Sequence, residues 1–168
     1  IKQFFNEARK QPRFNNTIFI LEGDHGKLVG KAENEMPQSY NHIPLIIYNP
    51  KLKPKEMNCF GGQIDVQSTL LGLLGIGYMQ NNFGIDLLHE KRPCMFYTAD
   101  NMIAARNEHY LYMFSPKTNQ EFTYKIENGK LKATPVNSNI LSLKSYCFSM
   151  LQSAQLLVKQ GKTLNHQR

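Results

Sequence analysis

Apolar residues recur at two spacings in the first part of the chain, and each spacing predicts a different element. Residues 1–8 carry apolar side chains on one face of a helix, and Pro12 ends that pattern. Two short apolar runs, 18–21 and 43–48, are rich in β-branched residues and predict buried strands. A helix that leads into an apolar strand is typical of half a βαβ unit, so we expect an α/β fold.

The middle of the chain predicts a helix with a leucine-rich face. Residues 70–74 consist of leucines around a single glycine, and Asp65 or Ser68 can cap the helix that carries them. Asp65 is the simpler N-cap, and the loss of its side chain should then cost about 1 kcal/mol. Arg106 and the pair Lys91-Arg92 could meet an anionic headgroup, although solvation at the surface is the default interpretation for each.

Beyond residue 93 the pattern changes to short strands that alternate with polar turns. The strongest turn signal is Asn128-Gly129, which predicts a tight hairpin between two of these strands. A long amphipathic helix follows, with an apolar stripe that begins at Leu143 and a glycine, Gly161, beyond its end. We interpret the stripe as core packing rather than membrane contact.

Charge narrows the range of partners. The formal net charge is +7 at pH 7, which suits anionic substrates or an anionic surface. The basic residues are scattered, without a dense patch, a basic helix or an aromatic-basic motif of the RNA-binding type. We therefore expect no direct binding to nucleic acid.

Cysteine spacing argues against a disulfide-stabilised protein or a zinc knuckle, and hydropathy argues against a membrane-spanning segment within this chain. Cys59, Cys94 and Cys147 are far apart and odd in number, so we expect buried free thiols rather than a disulfide framework or a zinc knuckle. The longest apolar stretch, 70–76, is far shorter than the roughly 18 residues that span a bilayer. Because residue 1 is not Met and the first residues resemble the middle of a domain, we expect a piece of a longer protein.

The candidate chemistry lies where the first predicted strand ends. Asp24 and His25 follow that strand, and the polar segment 27–42 predicts a long surface loop of the kind that is often functional. An acidic oxygen and an imidazole nitrogen are ligands for a divalent cation, which usually needs about three or four protein ligands. No other part of the chain offers an obvious pair. The alternative is structural, since Asp often caps a turn and a neighbouring His is often an exposed loop residue.

Four sequence blocks extend this interpretation. They are G-D-H-G at 23–26, H-I-P-L-I-I-Y-N-P at 42–50, G-G-Q-I-D-V-Q-S-T-L-L-G-L-L-G-I at 61–76 and F-G-I-D-L-L at 83–88. Their order resembles the C-terminal part of the sulfatase and alkaline-phosphatase-like superfamily, over residues 1–115. Within it, the chain looks most like the lipoteichoic-acid-synthase type of phosphoglycerol transferase. The downstream L-Y-D-L signature of many sulfatases is replaced here by F-T-Y-K at 122–125, which weakens a sulfatase assignment.

The resemblance implies a fold and a domain division. We expect an α/β protein, the C-terminal portion of an alkaline-phosphatase-like sheet with flanking helices, followed by a small antiparallel β subdomain. The expected parts are a sulfatase-like α/β core at 1–93, the antiparallel subdomain at 94–136, and a C-terminal helix and tail at 137–168.

The resemblance also implies a site. Asp24 and His25 would bind the divalent cation, which is manganese, magnesium, zinc or calcium depending on the branch. The other ligands and the nucleophile, a Thr, Ser or modified Cys, would lie upstream in the missing N-terminal half, so this chain alone should hold no catalytic nucleophile and be inactive. His42 is a candidate for contact with the substrate or with a second metal, and Lys27 and Lys31 are candidates for substrate contact, with solvated loop residues as the alternative.

The implied activity is that of a bacterial, metal-dependent phosphoglycerol or related phospho-headgroup transferase of the cell envelope. It would act on an anionic lipid or a phospho- or sulfo-ester through a covalent intermediate, with upstream membrane helices and an extracytoplasmic catalytic domain. The alternatives are a sulfatase or phosphodiesterase, and a non-catalytic relative that binds anionic lipids or glycans.

Overall fold

The computed structural model describes residues 1–163 except Val29, Glu33 and Asp100. The helices are α1 (Lys2–Ala8), α2 (Gln38–Asn41), α3 (Gln63–Leu73) and α4 (Ser138–Lys159), with a 3-10 turn at Phe14–Asn16. The strands are β1 (Phe19–Glu22), β2 (Leu45–Tyr48), β3 (Met95–Ala99), β4 (Met102–Arg106), β5 (Tyr110–Ser115), β6 (Gln120–Glu127) and β7 (Lys130–Ala133). The chain divides into two compact units, Ile1–Met57 and Asn58–Arg168. The mixed α/β fold class is confirmed, whereas the division at residues 93 and 136 stays a prediction.

The first unit is built on the pairing of β1 with β2. The two strands are antiparallel, and Glu22 at the end of β1 faces Leu45 at the start of β2. The predicted helix before β1 is present as α1, whose Phe5 packs edge-on against Phe19 and Tyr48 with ring centroids 5.2 and 5.3 Å apart. The β1–β2 pair itself is antiparallel, so these two strands do not form a parallel βαβ unit with each other.

Two details of this unit differ from the sequence expectations. The predicted buried strand at 43–48 is only partly buried, because Leu45 and Ile46 of β2 are 37% and 52% exposed. A two-stranded sheet covers little of its own side-chain surface, so the apolar run did not ensure burial. The predicted loop at 27–42 contains the short helix α2, and Met36 just before it is fully buried.

The second unit contains a five-stranded antiparallel sheet in sequence order, β3-β4-β5-β6-β7. The long helix α4 packs across β3, β4 and β5. Buried side chains of the sheet and of α4 make one core there, including Ile103, Tyr112, Ile140 and Cys147. The short strands beyond residue 93 and the final helix are thus confirmed.

Local signals explain where these elements turn and end. Asn128 and Gly129 have φ angles of 51° and 75°, the left-handed backbone of a tight hairpin turn between β6 and β7. The Asn137 side chain caps α4 by accepting from the backbone N–H groups of Asn139 and Ile140. Gly161, with φ of 64°, follows the other end of α4, as the sequence predicts.

The start of α3 differs from the prediction. Its N-cap is Gly62, and Asp65 occupies the third helical position, where its carboxylate accepts from the Gly62 N–H at 2.9 Å. The same carboxylate pairs with the guanidinium of Arg92, so the predicted solvation of Arg92 is wrong as well. Burial alone would lower the pKa of Arg92, but hydrogen bonding and attraction to Asp65 outweigh it and raise that pKa.

The thiols are only partly as predicted. Cys94 and Cys147 are buried free thiols, whereas Cys59 is exposed. Burial raises the pKa of Cys94, and it raises the pKa of Cys147 to about 12.

Among the described residues, no helix has both the length and the apolar character needed to cross a membrane.

Candidate metal centre

Asp24 and His25 lie just beyond the carboxyl end of β1. Gly23 separates them from the last strand residue, and the chain turns there so that Asp24 Oδ1 accepts from the His25 backbone N–H at 2.9 Å. Both side chains face solvent, with 90% of the Asp24 side chain and 55% of the His25 side chain exposed. The strand thus brings two groups that are able to ligate a metal to one accessible position.

The hydrogen bond of His25 fixes which ring nitrogen can act as a ligand. His25 Nδ1 lies 2.7 Å from the carbonyl oxygen of Gly26. Because a carbonyl oxygen can only accept, Nδ1 must be the protonated nitrogen, and the neutral ring then carries its lone pair on Nε2. Histidine ligands in metal sites are commonly held by such a bond from the other ring nitrogen.

The two donor atoms are spaced to share one cation. His25 Nε2 and Asp24 Oδ2 are 3.8 Å apart. Each bond from a transition metal ion to such a ligand is about 2.0–2.2 Å long, so one ion can reach both atoms. A carboxylate suits magnesium or manganese and an imidazole suits zinc, so the pair offers a ligand type for each of these ions. The residues therefore fit the divalent cation that the sequence predicts.

Asp24 and His25 alone would be too few ligands for a typical cation site. Within the described part of the chain, no cluster of three or more His, Cys, Asp or Glu side chains is placed to hold a metal ion. A cation with about three or four protein ligands would need further donors beyond Asp24 and His25. The expectation that the chain contributes one wall of a site stays a prediction.

The helix α2 lies against this loop. The imidazole of His25 stacks on the ring of Tyr40, with centroids 4.9 Å apart and planes that differ by 11°. The Gly26 backbone N–H donates to the Tyr40 carbonyl at 2.8 Å. A Cβ atom on Gly26 would lie 2.1 Å from the carbonyl oxygen of Ser39, so only glycine allows this approach.

The predicted substrate-contact residues lie in the same unit, and all three are exposed. Lys27 follows the Asp-His pair directly, and Lys31 lies further along the loop. His42 comes directly after α2 and its N–H donates to the Gln38 carbonyl at 3.0 Å. Because β2 is antiparallel to β1, the segment that precedes β2, with His42, and the segment that follows β1, with Asp24, lie at the same end of the two-stranded sheet. Their roles toward a substrate stay predictions.

Tyr40 is the residue of this site that the sequence interpretation missed. It lies in a polar segment with no motif around it, and 14 intervening positions separate it from His25. Gly26, in contrast, belongs to the G-D-H-G block, and its closeness to Ser39 gives a physical reason for that glycine.

Comparison with known proteins shows what this chain is similar to. Residues 1–76 match the Sulfatase family model. The fold agrees with that of a solved alkaline phosphatase superfamily protein from Vibrio parahaemolyticus, with a TM-score of 0.74 and 25% identity over 91% of this chain and 38% of the other. A putative sulfatase from Bacteroides thetaiotaomicron shares the fold at a TM-score of 0.62 and 18% identity, over 96% of this chain and 41% of the other.

The chain is also similar to curated proteins. The chain is 29% identical over 156 residues to lipoteichoic acid synthase 1 of Bacillus subtilis, covering 83% of this chain and 23% of the relative. These matches confirm the resemblance to the sulfatase and alkaline-phosphatase-like superfamily and, within it, to lipoteichoic acid synthases. The similar proteins are enzymes. The chain spans about a quarter of the length of lipoteichoic acid synthase 1.

Proposed function

We propose that this chain is the C-terminal part of a bacterial, metal-dependent phosphoglycerol or related phospho-headgroup transferase. Its substrate would be an anionic lipid or glycan of the cell envelope, and the catalytic domain would face away from the cytoplasm, anchored by upstream segments. The carrying observation is the Asp24–His25 pair, whose donor atoms lie 3.8 Å apart with the His25 tautomer fixed for ligation through Nε2. The likeness to a lipoteichoic acid synthase supports this activity.

The two residues would have different tasks in such a site. When bound, a divalent cation neutralises phosphate oxygens and lowers the pKa of a nearby hydroxyl, so that an upstream nucleophile can form a covalent intermediate. Asp24 supplies negative charge at an exposed position, and His25 supplies a neutral nitrogen held in place by Gly26. Lys27 and Lys31, on the adjoining loop, would attract the anionic substrate.

A sulfatase or phosphodiesterase is the second candidate, because the Sulfatase model matches residues 1–76. The same cation site would serve either reaction, and the acceptor, an alcohol or water, makes the difference. Parallel assays with phosphatidylglycerol, a simple phosphodiester and a sulfate ester separate the two activities. Turnover of phosphatidylglycerol with transfer of the phosphoglycerol group supports the transferase, and release to water alone supports the hydrolase.

The test of the site uses the complete protein that carries this chain. We expect Asp24→Asn and His25→Gln to lower turnover by more than about 100-fold, since even partners one step removed from a metal contribute roughly 10- to 100-fold. His89→Gln is the matched control. His89 also pairs with a neighbouring aspartate, Asp86, at 2.6 Å, and is 71% exposed, but it belongs to the other unit.

Each outcome has a separate meaning. Loss of turnover and of Mn²⁺ binding in the two site variants, with His89→Gln unchanged, supports the proposal. Unchanged turnover in Asp24→Asn and His25→Gln would refute the metal site. A folded complete protein that binds no divalent cation would instead favour a non-catalytic relative that binds anionic lipids or glycans.

A further inference from the structure

We propose that Tyr40 is a positioning residue for His25, holding the imidazole in the orientation in which Nε2 can ligate the cation. This inference rests on the proposed function, because it assumes that His25 is a ligand. Tyr40 itself would touch neither the cation nor the substrate. Its role is to restrict the ring of its neighbour.

The first argument is the geometry of the two rings. The imidazole and the phenol ring are nearly parallel, at 11°, with centroids 4.9 Å apart. This is an offset stack, the favourable arrangement for two aromatic faces. His25 is half exposed, so the stack on Tyr40 adds to the Nδ1 bond to the Gly26 carbonyl in restricting the rotation of its ring.

The second argument is that the backbone fixes the position of Tyr40. Its carbonyl accepts the Gly26 N–H at 2.8 Å, and its own N–H donates to the Pro37 carbonyl at 3.1 Å. The position that a Gly26 Cβ would occupy is only 2.1 Å from the Ser39 carbonyl oxygen, so the loop and α2 are as close as a glycine permits. Tyr40 is therefore attached to the residue that follows His25, and its ring turns back onto the imidazole.

The third argument concerns the two contacts of the imidazole together. The Gly26 carbonyl holds one edge of the ring through Nδ1, and Tyr40 covers one face. The remaining edge carries Nε2, 3.8 Å from the Asp24 carboxylate. When Nε2 donates its lone pair to a cation, the imidazole becomes more positive, and a parallel aromatic face stabilises that charge. Tyr40 should thus favour the ligated state.

The experiment measures Mn²⁺ binding to the complete protein by titration, with the signal of free Mn²⁺ read by electron paramagnetic resonance. We expect Tyr40→Leu to weaken Mn²⁺ binding by about tenfold, the lower end of the range for groups that orient a metal ligand. Tyr40→Phe keeps the ring and should bind as the parent does. Tyr78→Leu is the matched control, because Tyr78 is 39% exposed, as Tyr40 is, but belongs to the other unit.

A folding check accompanies these measurements. Thermal unfolding without metal reports whether each variant is folded, and Tyr40→Gln replaces Tyr40→Leu if the latter is not. Weaker Mn²⁺ binding in a folded Tyr40→Leu or Tyr40→Gln, with Tyr40→Phe and Tyr78→Leu unchanged, supports the positioning role.

The failure of this inference differs from the failure of the proposed function. If His25→Gln abolishes Mn²⁺ binding while Tyr40→Leu and Tyr40→Gln bind like the parent, Tyr40 has no positioning role and the metal site stands. Equal weakening in Tyr40→Phe and Tyr40→Leu would also overturn the inference, because the ring would not be what matters. If His25→Gln binds Mn²⁺ normally, the metal site itself is refuted.

Discussion

The guanidinium of Arg92 and the carboxylate of Asp65 form an ion pair that is almost completely withdrawn from solvent, with 7% and 0% of the side chains exposed. Arg92 also donates to the Phe83 carbonyl at 2.7 Å, and the Asp65 carboxylate accepts from the Ile85 N–H at 2.8 Å. The pair therefore joins the start of α3 to the segment before β3. Because a buried charge is costly without a partner, removal of one member of this pair should destabilise the fold.

The first prediction concerns this pair. Asp65→Asn removes the negative charge and leaves the Arg92 guanidinium buried without compensation, so we expect a loss of about 3–5 kcal/mol in the free energy of unfolding. The measurement is urea unfolding at neutral pH.

Glu127→Gln is the control for this prediction. Glu127 pairs with Lys125 and Lys132 at 2.9 and 2.5 Å, but these pairs lie at the surface. Solvent screens such pairs, so the control should lose much less stability than Asp65→Asn. Similar losses in the two variants would contradict the structural role assigned to the buried pair.

A second prediction concerns the β6–β7 turn. Gly129 has a φ angle of 75°, which a residue with a side chain adopts only with strain, so Gly129→Ala should cost roughly 1–3 kcal/mol. Gly77→Ala is the matched control, because Gly77 has no positive φ and a Cβ there would meet nothing within 4 Å. Thermal unfolding compares the two, and a larger loss for Gly77→Ala would show that the turn geometry is not decisive.

A third prediction concerns thiol reactivity. Cys59 is exposed, whereas Cys94 and Cys147 are buried and burial raises the pKa of both. Because the thiolate is the reactive form, the folded protein at pH 8 should show fast reaction with a disulfide reagent at Cys59 and very slow reaction at the other two.

The variant Cys59→Ser isolates this effect. In this variant no cysteine between residues 58 and 163 should react fast in the folded protein. In urea, Cys94 and Cys147 should become reactive. Reaction of either buried thiol at the rate of Cys59 in the folded protein would disagree with the core packing described above.

A fourth prediction uses the two glycines that flank the Asp-His pair. A Cβ on Gly26 would lie 2.1 Å from a backbone oxygen, so Gly26→Ala must displace α2 from the loop. We expect Mn²⁺ binding to weaken by about tenfold or more, since the Gly26 carbonyl orients His25.

Gly23→Ala is the control for this site. Its Cβ would meet Ile43 Cγ2 at 3.4 Å, close to an ordinary van der Waals distance. Mn²⁺ binding in Gly23→Ala should therefore stay near that of the parent. Equal binding by Gly26→Ala and Gly23→Ala would argue against the part of Gly26 in the site.

Local signals explain why the second unit could be predicted from the sequence. The Asn128-Gly129 pair allows the left-handed turn directly, and the stripe from Leu143 follows the period of one helix. Such features depend on neighbouring residues alone. The G-D-H-G block is likewise a contiguous pattern, and the structure places Asp24 and His25 just after β1, as the sequence predicts.

Features that depend on distant residues could not be predicted in this way. Asp65 is 27 positions from Arg92, and an acidic residue near a helix start is equally compatible with a simple cap. Likewise, periodicity identifies β1 and β2 as strands but carries no information about their relative direction. The stack of Tyr40 on His25 depends on the path of the whole intervening loop.

The hydrogen bond between Gly26 and Tyr40 joins the two ends of the segment 27–39. Asp24, His25 and His42 lie outside this segment. Doubling the length of a loop whose ends are joined costs only about 0.6 kcal/mol in closure entropy. Insertions within residues 27–35 should therefore cost little stability and leave the Asp24–His25 pair in place, whereas the buried Met36 and the close approach of Ser39 to Gly26 restrict changes at the end of this segment.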